Sequence, residues 1–239
     1  MIRTTHDGWT ISCVPGEEAV LEKLDEILPP ESRSATTMRD DYRSFVGVID
    51  VGGRRIIAKS PRLKNANKWI RFTTIFRPGE ALAGVRKMWL LRRRGVNCTA
   101  PIMAMEKRRA GMIVDSWMFY EYVHGVGGAR ERYPEIVDAL RKLHDAGWIH
   151  GDPHIENFIW DGRAIHLIDF QPKRAFFGRI AEQYDFIRLK SNFEGIENGL
   201  PEATRTVAYR IAALYERWIL AWRRIKKGIR GALGIERAG

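Results

Sequence analysis

The sequence predicts an α+β fold in two parts, a small antiparallel sheet followed by a mostly helical region. Residues 44–50 and 54–59 are mainly apolar runs of strand length, and the turn Val51-Gly52-Gly53 joins them. In residues 134–146 apolar side chains recur at helical spacing, with Pro134 at the start and Gly147 after the end. A chain of 239 residues with 45% hydrophobic content can bury the core of one two-lobed domain.

The strongest chemical signal comes from Asp152, from Asn157 five positions later, and from Asp169 at the end of the next hydrophobic run. In kinase-type phosphotransferases the first Asp accepts the proton of the attacking hydroxyl. The Asn and the second Asp hold magnesium against the ATP phosphates. We therefore predict Asp152 as the catalytic base and Asn157 and Asp169 as metal ligands. Mg²⁺ is the expected ion, and Mn²⁺ would suit the same oxygen ligands.

A predicted hairpin explains how these separated residues reach one point. Residues 158–160 are typical of a strand, Asp161-Gly162 of a tight turn, and residues 164–168 of the return strand. Asn157 enters this hairpin and Asp169 leaves it. The two predicted metal ligands therefore face the same point, with Asp152 on the loop just before.

Two upstream residues are predicted to bind the nucleotide. Lys59 ends the strand Arg-Ile-Ile-Ala-Lys, which is close to the Val-Ala-Ile-Lys pattern of a kinase third strand, and Ile57 shares its face. Lys59 would reach the α- and β-phosphates while Ile57 covers the adenine. Glu80 lies in the first turn of a helix predicted to end at Arg94, and it is the candidate partner of Lys59. The alternative is that Glu80 complements the helix dipole.

A third strand, predicted over residues 116–123, corresponds to the hinge of a kinase, where the Glu121 carbonyl and the Val123 amide would bind the adenine edge. The order of elements is strand with lysine, helix with glutamate, hinge, helix, catalytic loop, hairpin and metal aspartate. A protein-kinase-like fold requires this order. We therefore predict an N-lobe of residues 1–123 and a mostly helical C-lobe of residues 124–239.

Several features of regulated protein kinases are missing from the sequence. No G-x-G-x-x-G precedes Lys59, where the turn between strands is predicted near residues 39–41, and no Ala-Pro-Glu follows Asp169. The stretch from Asp169 to Asp185 is too short for a peptide-docking activation segment. Protein kinases commonly carry Lys two positions after the base, where this chain has His154. His154 would contact the transferred phosphate or stabilise the loop. These departures favour a small-molecule or glycan acceptor.

The catalytic region resembles the lipopolysaccharide core heptose kinase family. The resemblance is clearest over residues 144–189 and rests on Gly151-Asp152-Pro153-His154, Asn157-Phe158-Ile159, Ile168-Asp169, Lys173-Arg174-Ala175 and Asp185. It implies transfer of the ATP γ-phosphate to a heptose hydroxyl of the lipopolysaccharide inner core at the cytoplasmic face of the inner membrane. It also implies that Asp152 is the base, that Asn157 and Asp169 are metal ligands, and that Lys59 contacts phosphate.

The charge of the chain favours anionic partners. Forty basic and 29 acidic residues give a net charge of +11. Lys173 and Arg174 follow the metal aspartate, where an acceptor groove should begin, and they are predicted to bind the carboxylates and phosphates of an inner-core glycan. A solvated basic turn is the alternative.

The last part of the chain is predicted to form a basic amphipathic helix. Its apolar residues recur every three or four positions: Val207, Ile211, Leu214, Trp218, Trp222, Ile225 and Ile229. Arginine and lysine cluster around the tryptophans, as in helices that lie on anionic membranes. We expect the stripe as far as Trp218 to pack on the core and the end from Trp222 to contact lipid.

Other classes fit the sequence less well. No apolar run approaches a membrane span, the first residues lack a signal-peptide pattern, and two cysteines without metal-ligand spacing fit a reducing cytosol. The alternatives are an atypical protein Ser/Thr kinase, another small-molecule phosphotransferase of kinase-like fold, and a catalytically inactive kinase-fold scaffold. A nucleic-acid-binding role is not expected, since no such motif is present and the acidic loop would have no use. The heptose, its hydroxyl and the oligomeric state stay open.

Overall fold

The structure, a computed structural model, describes residues 1–169, 172–175, 177–191 and 206–232, with the side chains of all of these except 223 and 226–232. Phe170 and Gln171 and the side chain of Ile229 therefore lie outside the described part. Contacts divide the chain into two compact units. Unit 1 consists of Met1–Val126 and Ile159–Ile168, and unit 2 of Gly127–Phe158 and Asp169–Gly239.

Within the described residues, unit 1 is built on a seven-stranded antiparallel sheet with the order β1-β2-β6-β7-β5-β4-β3. The strands are β1 (Ile2–His6), β2 (Trp9–Cys13), β3 (Thr36–Asp40), β4 (Phe45–Val51), β5 (Arg54–Ser60), β6 (Pro101–Arg109) and β7 (Met112–Glu121). The predicted antiparallel N-lobe sheet is confirmed. Gly52 and Gly53 both have positive φ in the β4–β5 turn, as a tight hairpin connection requires.

One face of this sheet carries the main core of unit 1. Alternate residues of the central strands are buried there, among them Phe45, Ile49, Ile56, Trp117 and Phe119. Short helices α1 (Leu24–Ile27) and α2 (Pro30–Arg33) follow a 3-10 turn at Glu18–Lys23, and α1 packs into the same cluster. Burial of this alternating set fixes the register of each strand, because a shift by one residue would turn the apolar side chains to solvent.

Helix α5 (Glu80–Arg93) packs against β6 and β7. It follows α3 (Arg62–Ala66) and α4 (Lys68–Thr73), and its buried residues are Ala81, Leu82, Val85, Met88 and Leu91. The buried carboxylate of Glu106 accepts a hydrogen bond from the Gly79 amide at 2.8 Å, which places a negative charge at the helix N-terminus. Gly95 has φ +80° just past the C-terminus, as the predicted helix end requires.

Unit 2 is mostly helical. Its helices are α6 (Tyr133–Asp145), α7 (Arg179–Ser191) and α8 (Val207–Ala232), with 3-10 turns at Arg130–Arg132 and Ile155–Asn157. Strand β8 (Val126–Gly127) contains the first residue of unit 2, and β9 (Trp148–Ile149) pairs with β12 (Lys173–Arg174). Helix α6 buries the apolar face that the sequence predicted: Ile136, Val137, Leu140 and Leu143.

The predicted hairpin is present as β10 (Phe158–Trp160) and β11 (Ile165–Leu167). At its turn, the Asp161 carboxylate accepts hydrogen bonds from the Arg163 and Ala164 amides, both at 2.8 Å. Backbone hydrogen bonds join Leu167 to the segment between α5 and β6: its amide donates to Asn97 at 3.0 Å and its carbonyl accepts from Thr99 at 3.1 Å. For this reason residues 159–168 belong to unit 1, whereas the predicted division at 123/124 placed them in the C-lobe.

The expected packing of the C-terminal stripe is wrong. The side chains of Val207, Leu214 and Trp218 are 71%, 63% and 62% exposed. The face of α8 that packs on α7 contains instead Ala212, fully buried, and Glu216. A small residue allows the two helices to approach closely, and the buried carboxylate has a partner on α7. The large apolar side chains consequently face outward. Among the described residues, no helix is both long and apolar enough to cross a bilayer.

Candidate active site

The loop that carries Asp152 runs from β9 to β10 and is closed by its own backbone. The Asp152 carbonyl accepts hydrogen bonds from the His154 amide at 2.8 Å and from Nδ2 of Asn157 at 3.1 Å. The Asn157 amide in turn donates to the His154 carbonyl at 2.9 Å. These bonds direct the backbone carbonyl of Asp152 into the loop, while the side-chain carboxylate of Asp152 is exposed.

A buried carboxylate on α7, that of Asp185, holds the start of this loop. One oxygen accepts from the His150 amide at 2.6 Å and lies 3.1 Å from Nε2 of His144, and the other accepts from the Gly151 amide at 3.0 Å. Asp185 is 0% exposed, so these donors take the place of water around a buried charge. In the sequence Asp185 was only part of a family pattern. Its position beside the buried Phe186 and Leu189 is the one local signal that it faces inward.

His150, immediately before the glycine of the loop, is fully buried and lies against the ring of Phe158, with 5.5 Å between centroids. Burial lowers the pKa of His150 from 6.5 to about 4, and the attraction of Asp185 only partly opposes this. The imidazole is therefore neutral near pH 7. Its place in the loop is therefore structural.

The exposed carboxylate of Asp152 has a partner that the sequence did not reveal. Oδ1 accepts a hydrogen bond from Nη2 of Arg188, on α7, at 2.8 Å. The other terminal nitrogen of Arg188 donates to Glu216, on α8, at 3.5 Å. The side chains of Arg188 and Glu216 are 21% and 9% exposed, against 66% for Asp152. A half-buried guanidinium thus supplies the cation beside Asp152, while His154, at the position of the kinase lysine, is exposed to solvent.

The predicted metal ligands suit a hard cation. Because Nδ2 of Asn157 is bound to the Asp152 carbonyl, its Oδ1 is left as an oxygen ligand. Asp169 adopts φ +44°, a left-handed conformation that is uncommon for residues other than glycine and recurs at functional sites. Within the described residues, no cluster of three or more His, Cys, Asp or Glu side chains could hold a metal. A bound Mg²⁺ or Mn²⁺ would therefore depend on these two residues together with phosphate or water oxygens.

In unit 1, Lys59 lies half-buried near the end of β5, and Ile57 on the same face is buried. The predicted pairing of Glu80 with Lys59 is wrong: the Glu80 carboxylate contacts Nζ of Lys64 at 2.5 Å. Lys64 lies on α3, the helix that directly follows β5, and its long side chain reaches the first turn of α5. The sequence could not distinguish two lysines so close together.

The predicted hinge follows β7. This strand ends at Glu121, whose amide donates to the Ala100 carbonyl at 2.8 Å, and the next amide, of Tyr122, donates to Arg55 at 3.1 Å. Within the described residues the Val123 amide donates no hydrogen bond, so it is available to a ligand. Residues 122 and 123 lie beyond the strand, which begins earlier and ends earlier than predicted.

The turn that would face the phosphates in a kinase contains no glycine here. It connects β3 to β4, close to the predicted position, and Oδ1 of Asp41 accepts hydrogen bonds from the Arg43 and Ser44 amides, both at 2.8 Å. An Asp-stabilised turn therefore replaces the glycine-rich loop.

The two basic residues after Asp169 lie on β12. Both are exposed, and the strand pairs with β9, directly before the catalytic loop. The guanidinium of Arg174 lies 4.6 Å from the centre of the Trp148 ring, so that its position is restrained, whereas Lys173 extends into solvent. Both cations therefore lie on the strand that pairs with β9, just before the loop.

An antiparallel sheet with a packed helix, followed by a helical unit with an Asp-anchored loop, defines the protein-kinase-like class. A solved structure of WaaP in complex with acyl carrier protein matches with a TM-score of 0.51, covering 90% of this chain and 97% of that chain. At 17% identity this likeness shows the fold alone.

The family model for the lipopolysaccharide core biosynthesis protein (WaaY) matches residues 2–225. The chain belongs to this family. The lipopolysaccharide core heptose(II) kinase WaaY of Escherichia coli (strain K12) is 27% identical over 189 residues, covering 74% of this chain and 78% of that protein.

Substitution Asp185→Ala should destabilise the protein by about 3–5 kcal/mol, because two backbone amides and His144 would lose a buried charged acceptor. Urea denaturation measures the loss. The control Asp138→Ala removes an exposed carboxylate on α6 that pairs with Arg141, and it should change stability by less than about 0.5 kcal/mol. Equal effects of the two substitutions would contradict the anchoring role of Asp185.

The neutral, buried His150 predicts an acid-sensitive fold. Its pKa is about 4 in the folded protein and 6.5 when exposed, so the unfolded state binds more protons in this range and stability falls as pH falls below 6.5. From about pH 7.5 to about pH 5, the free energy of unfolding should drop by about 2 kcal/mol more in the unsubstituted protein than in His150→Gln. Urea titrations at both pH values measure this difference, and parallel pH profiles would refute it.

Proposed function

We propose that this protein transfers the γ-phosphate of ATP to a heptose hydroxyl of the lipopolysaccharide inner core. The observation that carries the proposal is the loop anchored by Asp185, which presents the carboxylate of Asp152 at the surface on a fixed backbone. The family is one of lipopolysaccharide core biosynthesis, and the E. coli relative is named as a heptose(II) kinase, which supports a core heptose as the acceptor.

In this proposal Asp152 accepts the proton of the heptose hydroxyl while the hydroxyl oxygen attacks the γ-phosphorus. The bond to the β,γ-bridging oxygen breaks, and ADP leaves. Arg188 restricts the rotation of an otherwise exposed carboxylate and holds one of its oxygens, so that the other faces the acceptor. Glu216 in turn restrains Arg188 from α8.

The remaining predicted residues bind the nucleotide and the metal. Asn157 and Asp169 would hold Mg²⁺ or Mn²⁺, which when bound neutralises charge on the ATP phosphates. Lys59 binds the α- and β-phosphates and Ile57 covers the adenine, whose edge is bound by the hinge, through the Glu121 carbonyl and the Val123 amide. Glu80, in the first turn of α5, contributes by holding the side chain of Lys64 on α3.

The acceptor is bound on the side of β12. Lys173 and Arg174 are exposed next to the catalytic loop and meet the carboxylates and phosphates of the glycan, and His154 contacts the acceptor or the transferred phosphate.

Neutralising Lys173 and Arg174 together should raise the KM for the acceptor and leave that for ATP unchanged. An unchanged acceptor KM would refute this role.

Helix α8 contacts the inner face of the inner membrane, where the lipid-linked acceptor is made. Its stripe of large apolar side chains is exposed along the helix, including Ile211, Leu214, Trp218, Trp222 and Ile225, and Arg210, Arg217 and Arg224 are exposed beside them. An amphipathic helix with tryptophan and arginine at its surface suits an anionic bilayer surface.

The reaction itself is tested with labelled γ-phosphate. We expect label to pass from ATP–Mg²⁺ to inner-core lipopolysaccharide that lacks heptose phosphate, and we expect Asp152→Ala to reduce the rate by about 10²-fold or more, because it removes the base. Label recovered only in protein would favour an atypical protein kinase. An absence of label with every acceptor would refute the proposed activity.

Arg188→Ala should lower kcat for the heptose acceptor about 10–100-fold with little change in KM for ATP, since it frees the Asp152 carboxylate without touching the nucleotide residues. Arg188→Lys should recover part of the rate because it keeps the charge but not the fork of two nitrogens. Arg141→Ala, an exposed arginine on α6 paired with Asp138, is the control and should be neutral. If a smaller folded fraction of Arg188→Ala, measured by urea denaturation, accounts for the whole loss of kcat, the role of Arg188 is structural only.

Truncation after Ala221 tests the membrane contact of α8. The truncated chain loses Trp222 and the basic end of the helix, and its binding to vesicles containing phosphatidylglycerol should weaken about tenfold or more. Sedimentation with vesicles measures the bound fraction, and pure phosphatidylcholine vesicles report the contribution of charge. Equal binding of the truncated and full chains to anionic vesicles would reject a membrane role for the end of α8.

A further inference from the structure

A second exposed apolar surface lies in unit 1, between β5 and α5. Trp69 and Phe72 on α4, and Phe76 just beyond it, are 72%, 48% and 82% exposed. Their rings contact one another, with 5.9 Å between the centroids of Trp69 and Phe72 and 6.2 Å between those of Phe72 and Phe76. We call these three residues the aromatic patch. Soluble proteins seldom expose clustered aromatic rings without a binding function.

The backbone beneath the aromatic patch is firmly held. Asn67 caps α4, its side chain accepting a hydrogen bond from the Ile70 amide at 3.0 Å. Thr74 is buried, and its hydroxyl accepts from the Ile113 amide on β7 at 2.9 Å. The Thr74 carbonyl accepts from Arg108 on β6 at 2.8 Å. The sheet therefore fixes this segment, and the exposure of the rings is a property of the folded unit, not of a frayed helix.

Each ring of the aromatic patch has a cation as its neighbour in the sequence: Lys68 beside Trp69, Arg71 beside Phe72 and Arg77 beside Phe76. Residues 61–77 contain no Asp or Glu. Arg62 and Lys64, which precede α4, pair with carboxylates elsewhere in unit 1. In the part of the chain that the structure describes, Lys68, Arg71 and Arg77 form no ion pair. The surface is accordingly both aromatic and positively charged.

This combination fits an anionic lipid surface. Phe76 and Trp69 project from the surface, and a bilayer boundary accepts projecting rings without a matching pocket, whereas a protein partner would need one. Tryptophan is favoured at the level of the lipid headgroups, and arginine and lysine gain from negative headgroups at the same depth.

We propose that the aromatic patch docks unit 1 on an anionic membrane surface, independently of helix α8 in unit 2. The inference rests on the proposed function in one respect, since a lipid-linked acceptor gives membrane docking its purpose. Rings enter the headgroup region while Lys68, Arg71 and Arg77 pair with lipid phosphates.

The test compares the binding of variants to two kinds of vesicle, pure phosphatidylcholine and an equimolar mixture with phosphatidylglycerol. The double substitution Trp69→Ser and Phe76→Ser should weaken binding to the mixed vesicles about tenfold or more in the full chain, because it removes the two exposed rings that would enter the lipid boundary. The control is Phe177→Ser, which removes a phenylalanine of similar exposure, 79%, from unit 2 and should leave binding unchanged. An unchanged thermal midpoint verifies that the variants fold.

A second pair of substitutions separates charge from apolar contact. Lys68→Gln with Arg71→Gln should weaken binding to the mixed vesicles and leave binding to phosphatidylcholine unaltered. If the serine variant binds mixed vesicles as well as the unsubstituted protein does, the proposal is overturned.

Activity assays with two acceptors keep this proposal distinct from the proposed function. The serine variant should phosphorylate a delipidated core oligosaccharide at the normal rate and lipid-linked acceptor in mixed vesicles more slowly. If the unsubstituted protein phosphorylates neither acceptor, the proposed function fails, and the vesicle-binding comparison still decides the role of the aromatic patch. Equal loss with both acceptors would place the patch in catalysis and contradict docking.

Discussion

The buried carboxylate of Asp185 is the constraint on which the candidate site depends. It satisfies the amides of His150 and Gly151, and it lies within hydrogen-bonding distance of His144 on α6. A charge at 0% exposure is tolerable only while these donors stay in place. Helix α7 and the loop must therefore move together. The position of Asp152, one residue beyond this anchor, follows from a hydrogen-bond requirement of the core.

The same helix also supplies the cation at Asp152. Arg188 lies about one turn beyond Asp185 on α7, so the helix that fixes the backbone of the loop also fixes its exposed carboxylate. Glu216 ties Arg188 to α8. This arrangement places a cation beside Asp152, the proposed base, although the loop carries His154 where protein kinases commonly have lysine. It also connects the proposed catalytic residue, through the side chains of Arg188 and Glu216, to α8 with its exposed apolar stripe.

Exposed apolar surface occurs in both units, and in each it accompanies positive charge. Helix α8 carries a stripe beside arginines, and the aromatic patch of unit 1 lies among Lys68, Arg71 and Arg77. A net charge of +11 favours anionic partners in general, and exposed apolar side chains beside cations are the feature on which the proposed lipid contacts rest. Part of the excess positive charge of the chain therefore lies beside exposed apolar side chains.

The sequence by itself determined the elements whose signals are local. Period-two and helical patterns with glycine turns predicted β4, β5, α5, α6 and the β10–β11 hairpin within a few residues. The spacing of Asp152, Asn157 and Asp169 predicted the kinase-like class. Only the tertiary structure decided which groups meet: Glu80 with Lys64, Asp185 with the loop, Arg188 with Asp152. It also decided which face of α8 is buried, because Ala212 and Glu216, and not the more apolar stripe, fit against α7. Such choices depend on the approach of distant segments, which side-chain periodicity does not encode.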